Sequence, residues 1–456
     1  MGVSRSMTSN NSYPNIVLLV LDSVRSDRFT KQEEFDVSTP VLNELAQEGL
    51  FFDKAYSTGS WTIPAHGSLF TGKLPSEHGA HAKQKFLETK PEDTLSGKLS
   101  KIGYNSVGFS TNPWITDEFG FTTGFNNFHE IYPNLPFSDK ESDPRNQLND
   151  PNAQKIFQWI FSGNPFKRVI NGVYAKYFKS LPYAPADMMT KNITNWMSES
   201  SEQPFFIFAN YMDAHEPYIS KKRDIDGDVL DFEWNLHCYE NGPDPNNHKE
   251  IQSIYDSSIS YLDRNLRKLI DSLDLNNTLL ITLGDHGQSL GENNYWGHGT
   301  HLSEELIHVP LIINSPTDFC SLDPSDIISL RDVPNLIFEY LNIHCDENIM
   351  PSNHRTCDTI IAESFGPHQE VDSIPDSIPE SGYRVIMNNK GHLLRNLDED
   401  NSEFTPIINQ AENEKIRSEL LEIEAETFEN IETNGLNEQK EIEKGTQERL
   451  KDLGYL

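Results

Sequence analysis

Cysteine is scarce in this chain. Only Cys238, Cys320, Cys345 and Cys357 occur in 456 residues, widely separated and without a Cys-x-x-Cys pair. That excludes a disulfide framework and a thiolate metal or redox site, and makes buried thiols in a reducing cytoplasm the expectation. Long apolar runs are also missing. The early run at 16–21 is six residues, against the roughly 18 needed to cross a bilayer, and the polar start MGVSRSMTSNNSYPN does not read as a secretory signal. No membrane anchor is expected, and the expected location is cytoplasmic. Positive charge is the third shortage, with 37 Lys plus Arg against 70 Asp plus Glu and a net charge of −33. A surface this acidic repels phosphate backbones and anionic headgroups, which excludes nucleic acid and membrane as default partners. It also suits a salt-rich cytoplasm, where carboxylates keep a surface hydrated. Apolar residues, in contrast, make up 36% and aromatic residues 10%, enough for a large core in a chain long enough for two or three units.

The segment NIVLLVL at 15–21 is apolar without helical period, which predicts a strand buried on both faces of a mostly parallel sheet. Further strands are expected at 50–56, 104–110, 204–212 and 278–283, with helices at 39–49, 93–103 and 255–273 between them. This alternation predicts an α/β sandwich, a central sheet between helical layers, with functional residues at the carboxyl ends of its strands. Residues 129–201 break the alternation and read as a variable insertion over the active face, with helix-like text at 154–161 and 185–196. A polar linker at 345–357 divides a catalytic domain, 1–345, from a small C-terminal α+β subdomain, 346–456. In the subdomain, 359–364, 383–387 and 392–395 read as an antiparallel sheet. The Glu-rich helix expected at 411–431 reads as a solvated face.

Three segments bring metal-compatible groups to one sheet edge: Asp22 after the first strand, Thr62 in the loop before the helix-like PAHGSLFTG, and Asp285-His286 after a later strand. A hydroxyl at a helix N-terminus sits among backbone donors and a favourable dipole, a natural anion site. A bound cation there lowers the hydroxyl pKa, so Thr62 is the candidate nucleophile. Singly, each residue also reads as a turn, a cap or a satisfied histidine. His66, His215, His298 and His301, all near strand ends, tip the set toward an anion or metal site.

These residues lie in segments that together resemble the sulfatase family of the alkaline phosphatase superfamily: NIVLLVLDSVRSD, STGSWTIPAHGSLFTGKLPSEHG, YMDAHEPY, GDHGQSLGENNYWGHGTHLSEELIHVPLI and the terminal RLKDLGYL. The resemblance implies the superfamily's sandwich with a smaller C-terminal sheet, a metal-dependent site, and hydrolysis of sulfate or phosphate esters of small molecules or glycans. Its departures matter as much. Sulfatases carry Cys or Ser at the head of a C/S-x-P-x-R segment, oxidised to formylglycine. Here Thr62 stands in that place and His66 in that of the Arg. Threonine cannot become the aldehyde because its Cβ bears a methyl group, so no formylglycine is expected. Thr62 instead resembles the directly attacking threonine of the superfamily's phosphodiesterases, phosphonate hydrolases and phosphoglycerol transferases.

By resemblance, Asp22, Thr62, Asp285 and His286 hold one divalent ion, with Ser23 where the family usually has a second Asp. The mixed oxygen and imidazole set favours Mn²⁺ or Zn²⁺ over Ca²⁺ or Mg²⁺. His66, His215 and His298 contact the tetrahedral anion, His215 or His298 protonates the leaving oxygen, and Asn112 lies near substrate. Arg25 and Asp27 form a structural ion pair. A second ion on Asp213, His215 and His298 is the alternative arrangement. The functional alternatives are a group transferase and a non-catalytic anion or glycan binder.

Overall fold

A computed structural model describes residues 13–131, 153–177, 183–200, 204–218, 248–317, 319, 322–343, 359–368, 378–399, 401–407, 413–429 and 442–452. The four cysteines, the polar start of the expected insertion at 132–152, the linker at 345–357 and the last residues, 453–456, lie outside them.

The strands are β1 (Asn15–Leu21), β2 (Leu50–Tyr56), β3 (Asn105–Ser110), β4 (Asn127–Glu130), β5 (Phe205–Tyr211), β6 (Thr278–Gly284), β7 (Ser289–Leu290), β8 (Trp296–Gly297), β9 (His308–Asn314) and β10 (Ile328–Ser329). Eight of them form one sheet in the order β10-β2-β9-β6-β1-β5-β3-β4, and β7 pairs with β8 in a short ribbon. Every residue of β1, β5 and β6 is buried, as their unbroken apolar text requires for strands covered on both faces. Alternate side chains feed two cores. Ile16, Leu18 and Val20 pack with Ile63 and Leu69 of the helix Thr62–Thr71, Leu95 and Leu99 of Leu95–Lys101, and Leu336 of Val333–Tyr340. Val17, Leu19 and Leu21 pack with the helices Pro40–Glu48, Ala186–Glu199 and His248–Ile270. The mostly parallel sandwich read from the sequence is the observed fold.

The expected strands and helices are present with shifted ends, most of all the helix expected at 255–273, which is His248–Ile270, but β4, β7, β8, β9 and β10 were not anticipated. Strand β9 runs antiparallel to both of its neighbours, β2 and β6. Its Pro310 argues against an interior strand, because proline has no N–H for the ladder. The sheet accommodates it by a break in register: β2 pairs Phe52 with Leu311 and Ala55 with Val309, so two residues of β2 stand opposite Pro310. A bulge of this kind absorbs the missing donor. Within residues 129–201, the helix Ala186–Glu199 is part of the second helical layer.

The C-terminal strands β11 (Ile360–Glu363), β12 (Tyr383–Asn388), β13 (Gly391–Asn396) and β14 (Asn401–Pro406) form an antiparallel sheet, β14 being additional to the expected three. The helix Asn413–Phe428 covers it, and here one expectation is corrected. Its charge run is not wholly solvated: Ile416, Leu420 and Glu424, four residues apart, form a single buried stripe. Glu424 is tolerated because Arg395 donates to it through Nε and Nη2, both at 2.6 Å, with Arg384 Nη1 at 3.5 Å. Replacement by Glu424→Ala should lower unfolding free energy by about 2 kcal/mol, since two guanidinium groups lose a shielded acceptor. Urea unfolding checks this, and an unchanged midpoint would remove the pairing from the account of how this helix is held.

Candidate active site

The four central strands β6, β1, β5 and β3 all point the same way. Their carboxyl ends deliver Asp285 and His286, Asp22, Asp213 to Glu216, and Asn112 to one edge, where open parallel sheets carry their ligands. Opposite them stands the helix Thr62–Thr71, all ten of whose residues are buried and whose start no side chain caps. A glycine is obligatory within it, because a Cβ on Gly67 would lie 2.4 Å from the ring of His78. That ring props the helix from below, bonded through Nε2 to the Pro64 carbonyl at 3.2 Å and the Ser68 hydroxyl at 3.3 Å.

Asp22 accepts from Asn112 Nδ2 at 2.8 Å, Ser23 Oγ at 3.0 Å and Asn210 Nδ2 at 3.3 Å. Ser23 adopts φ 63°, an uncommon left-handed conformation for a non-glycine residue. It aims its N–H at Asp285 Oδ1, 3.2 Å away, which also accepts from the His286 N–H at 2.9 Å. The other oxygen, Asp285 Oδ2, is buried and has no hydrogen-bond partner among the described residues. Burial, reinforced by the Asp22 charge, pushes the Asp285 carboxyl well above its ordinary value. Burial opposes charge on Asp22 too, but His215, His286 and His66 together outweigh it and hold that carboxyl below its usual value.

His286 donates from Nδ1 to the Gly287 carbonyl at 2.8 Å, which leaves the Nε2 lone pair facing inward. Nε2 lies 3.5 Å from Thr62 Oγ1, 3.6 Å from Asp22 Oδ1 and 3.5 Å from Asp285 Oδ2. These separations lie just beyond the edges of a cation's coordination shell, about 3.0–3.4 Å for bonds near 2.1 Å. An orphaned carboxylate oxygen, a second carboxylate, a hydroxyl and an unprotonated imidazole nitrogen form a donor set that fits a divalent ion. Asp22, Asp285 and His286 form one of two compact groups of that kind among the described residues.

The second group is His215, Glu216 and His298, which corrects the alternative in which Asp213 was the third member. Asp213 is turned away: its Oδ1 accepts from the Ala186 N–H at 3.0 Å and caps the helix Ala186–Glu199. His215 donates from Nδ1 to the Glu216 carbonyl at 2.5 Å, and His298 from Nδ1 to Gln288 Oε1 at 2.8 Å. Both rings are buried, 4.9 Å apart, with His298 4.6 Å from His286. The Glu216 carboxylate lies 3.4 Å from His298 Nδ1 and 3.7 Å from His215 Nδ1, a negative charge behind both rings.

Asn112 reaches both Asp22 and, at 3.3 Å, Thr62 Oγ1. His66 is engaged within the protein, its Nδ1 donating to the Thr62 carbonyl at 3.0 Å and its Nε2 accepting from Asn210 at 3.4 Å. His301 stands apart, its ring 5.0 Å from Tyr295 and 5.6 Å from Tyr383. Arg25 bonds Asp27 through two nitrogens, at 3.1 and 2.5 Å, and also Glu292 and the Gln288 carbonyl. It thereby braces the loop that carries Gln288 and His298. Sequence reasoning missed Asn210, Glu216, Gln288 and His368, whose ring is 5.6 Å from His298. Asn210 had a signal, a polar residue inside the apolar strand text PFFIFANYM. His368 had none, since it arrives from beyond the linker.

The edge of this α/β sandwich thus gathers a buried donor set that fits a divalent ion, and comparison with known proteins gives the family. The family model described as Sulfatase matches residues 14–343; the chain belongs to the sulfatase family, and is an ester-hydrolysing enzyme of a family that generally depends on a divalent metal. It is 22% identical to an arylsulfatase of Clostridium perfringens, over 74% of this chain and 76% of that one. It is 23% identical to human iduronate 2-sulfatase, over 71% of this chain and 63% of that one. Among solved structures, a protein in complex with its substrate D-glucosamine-2-N,6-O-disulfate aligns with TM-score 0.61 and 17% identity, covering 94% of this chain and 100% of the other. A phosphonate monoester hydrolase from Silicibacter pomeroyi aligns with TM-score 0.59 and 16% identity, covering 91% and 94%. No helix among the described residues is long and apolar enough to cross a membrane.

Burial of the His78 ring sets a pH test. Burial, with the nearby His81 adding to it, pushes its pKa down to about 3, so between pH 6.5 and 3 the unfolded chain takes up a proton that the folded chain refuses. Stability must therefore fall as pH drops through that window, by about 2 kcal/mol at pH 5 for this one group. Measured against His78→Gln, which does not titrate, the wild-type advantage in urea should shrink by that amount between pH 7 and pH 5. A constant difference would mean that the ring is not held neutral.

Proposed function

We propose that the enzyme cleaves sulfate or phosphate and phosphonate esters by in-line attack of Thr62 Oγ1, through a covalent threonine adduct. The observation that carries this is the place of the Thr62 hydroxyl, 3.5 Å from His286 Nε2 and 3.3 Å from Asn112 Nδ2, at an uncapped helix start. A divalent cation on Asp22, Thr62, Asp285 and His286, with Mn²⁺ or Zn²⁺ favoured by the mixed donors, supplies positive charge that lowers the hydroxyl pKa and offsets charge on the transferred group. Asn112 donates to Oγ1 and favours its ionised form. His66 steadies the helix start through the Thr62 carbonyl. His215 and His298 present Nε2 to the tetrahedral anion, with Glu216 balancing positive charge on either ring. Oγ1 gives its proton to water as it ionises; as it bonds to sulfur or phosphorus, the bond to the leaving oxygen breaks and that oxygen takes a proton from His298 or His215. Water then releases the adduct. The names of the relatives support sulfate esters, whereas the threonine favours phosphorus, because formylglycine chemistry is closed to it.

Purified protein loaded with Mn²⁺, Zn²⁺ or Ca²⁺ should hydrolyse at least one of p-nitrophenyl sulfate, a p-nitrophenyl phosphate diester and a p-nitrophenyl phosphonate ester. Thr62→Ala should lower kcat at least ~10³-fold, whereas Thr62→Ser keeps the hydroxyl and most of the rate. Turnover that survives Thr62→Ala would overturn the nucleophile, and metal-loaded wild type inert on all three esters would overturn the hydrolase reading. In the same proteins, Asp285→Asn should weaken metal affinity by about 100-fold or more while leaving the metal-free fold at least as stable, because it replaces a buried carboxyl that resists ionisation and whose Oδ2 lacks a partner among the described residues. Metal titration and thermal melts in chelator read the two effects separately.

A further inference from the structure

The end of β11 and the loop after it reach the active site from the far side of the linker. Their hold on the catalytic segments is polar and short. The Glu363 N–H bonds the Thr58 carbonyl at 2.9 Å, four residues before Thr62, and Ser364 Oγ bonds the Thr300 carbonyl at 2.6 Å, two residues after His298. Both attachments therefore fall on segments that carry site residues. Four residues beyond Ser364, the His368 ring enters between those segments, its centroid 4.9 Å from that of Trp61, the residue before Thr62, and 5.6 Å from that of His298. It is 3% exposed. A notch in the His298 loop admits it: Gly299 adopts φ 100°, and a Cβ there would lie 2.2 Å from His368 Nδ1. Any other residue directly after His298 would strain the backbone and push this ring away.

The need for such a neighbour follows from how His298 is held. Its Nδ1 is fixed by Gln288 Oε1 at 2.8 Å, but one hydrogen bond leaves a ring free to swing about the bonded atom, and the swing displaces the opposite nitrogen, Nε2, most. Packing has to close that freedom. Around His298 the packing includes three other imidazoles, those of His286 at 4.6 Å, His215 at 4.9 Å and His368 at 5.6 Å. The first two come from the carboxyl ends of β6 and β5. The third comes from the C-terminal subdomain, on the side where Trp61 stands.

We propose that His368 is a positioning residue: lodged in the Gly299 notch between Trp61 and His298, it holds His298 Nε2 toward the tetrahedral anion, so that the C-terminal subdomain completes the anion site. The two rings are tilted by 30° to each other, a packing contact, and it is the flat ring in the notch that does the holding. This rests on the reading of His298 as an anion contact, and it holds whether or not Thr62 is the nucleophile and whichever ester is cleaved.

The test is calorimetric titration of inorganic phosphate and inorganic sulfate into the Mn²⁺-loaded full chain, for wild type, His298→Ala, His368→Ala and the double variant. His368→Ala should weaken anion binding about tenfold when His298 is present and less than about twofold once it is Ala, because the two act as one unit. Near-UV circular dichroism and Mn²⁺ affinity should stay as in wild type. His368→Phe, which keeps a flat ring in the notch, should recover most of the loss, and the same cycle with His368→Asn serves where the alanine variant loses its near-UV spectrum. Equal losses with and without His298 would overturn the positioning role, as would a phenylalanine variant as weak as the alanine one, which would place the effect in a ring nitrogen that meets the anion itself. A wild type that binds neither anion would overturn it too. A wild type that shows the coupling but hydrolyses no ester would sink the hydrolase mechanism and leave this role standing.

Discussion

Two carboxylates, Asp22 and Asp285, share one buried pocket, and the surrounding structure is organised around that cost. Like charges at this range cannot both be ionised in a low-dielectric interior without a counter-charge. The opposite directions in which the two carboxyls are shifted express it: Asp22, faced by three histidines, keeps its charge, and Asp285 resists ionisation. Amide groups partly answer the problem, with Asn112 and Asn210 on Asp22 and two backbone N–H groups on Asp285 Oδ1. They leave Asp285 Oδ2 unanswered. Polar groups arranged this far toward neutrality, with one buried carboxylate oxygen left over, make a donor set that fits a cation better than they make a stabilising network.

That arrangement also explains the strained and glycine-restricted positions nearby. Ser23 takes its left-handed conformation so that a backbone donor reaches across from β1 to Asp285. Gly67 admits His78 beneath the Thr62 helix, and the buried ring holds the Pro64 carbonyl two residues after Thr62. Arg25 joins the residues just after Asp22 to the loop that carries Gln288, which in turn fixes the His298 tautomer. Each device exchanges some local stability for a fixed position of a reacting group, a pattern expected where geometry has to be held without help from solvent.

How much of this could be read beforehand depended on the kind of signal. Strands β1, β5 and β6 were legible because burial on both faces leaves an apolar run with no other explanation. The residues that follow them, Asp22 and Asp285-His286, were legible because parallel sheets concentrate ligands at carboxyl ends. Strand β9 was hidden by Pro310, whose lost hydrogen bond is absorbed by a bulge in a strand distant in sequence. Glu424 was misread for a similar reason: its charge looks solvated until Arg384 and Arg395 are brought over it by a different element. Glu216 and Gln288 lay inside the quoted motifs, but their roles depend on which ring nitrogen they face. Spacing along a chain does not encode that.

A net charge of −33 would seem to make this protein a poor receiver of anionic esters. The site resolves the conflict by distance and by dielectric. On the proposed mechanism its donors are the start of a buried helix, amide side chains and imidazoles, none of which needs a surface cation, and all would act within a few ångströms of the bound group, where screening by salt is weak. The acidic exterior acts over a longer range, where ions screen it to little beyond about 8 Å. An anion approaching the mouth therefore meets a repulsion that salt weakens, while an anion already inside meets an attraction that salt hardly touches. Affinity and surface charge are separable in such a molecule. The surface can be set by solubility while the pocket alone sets the chemistry.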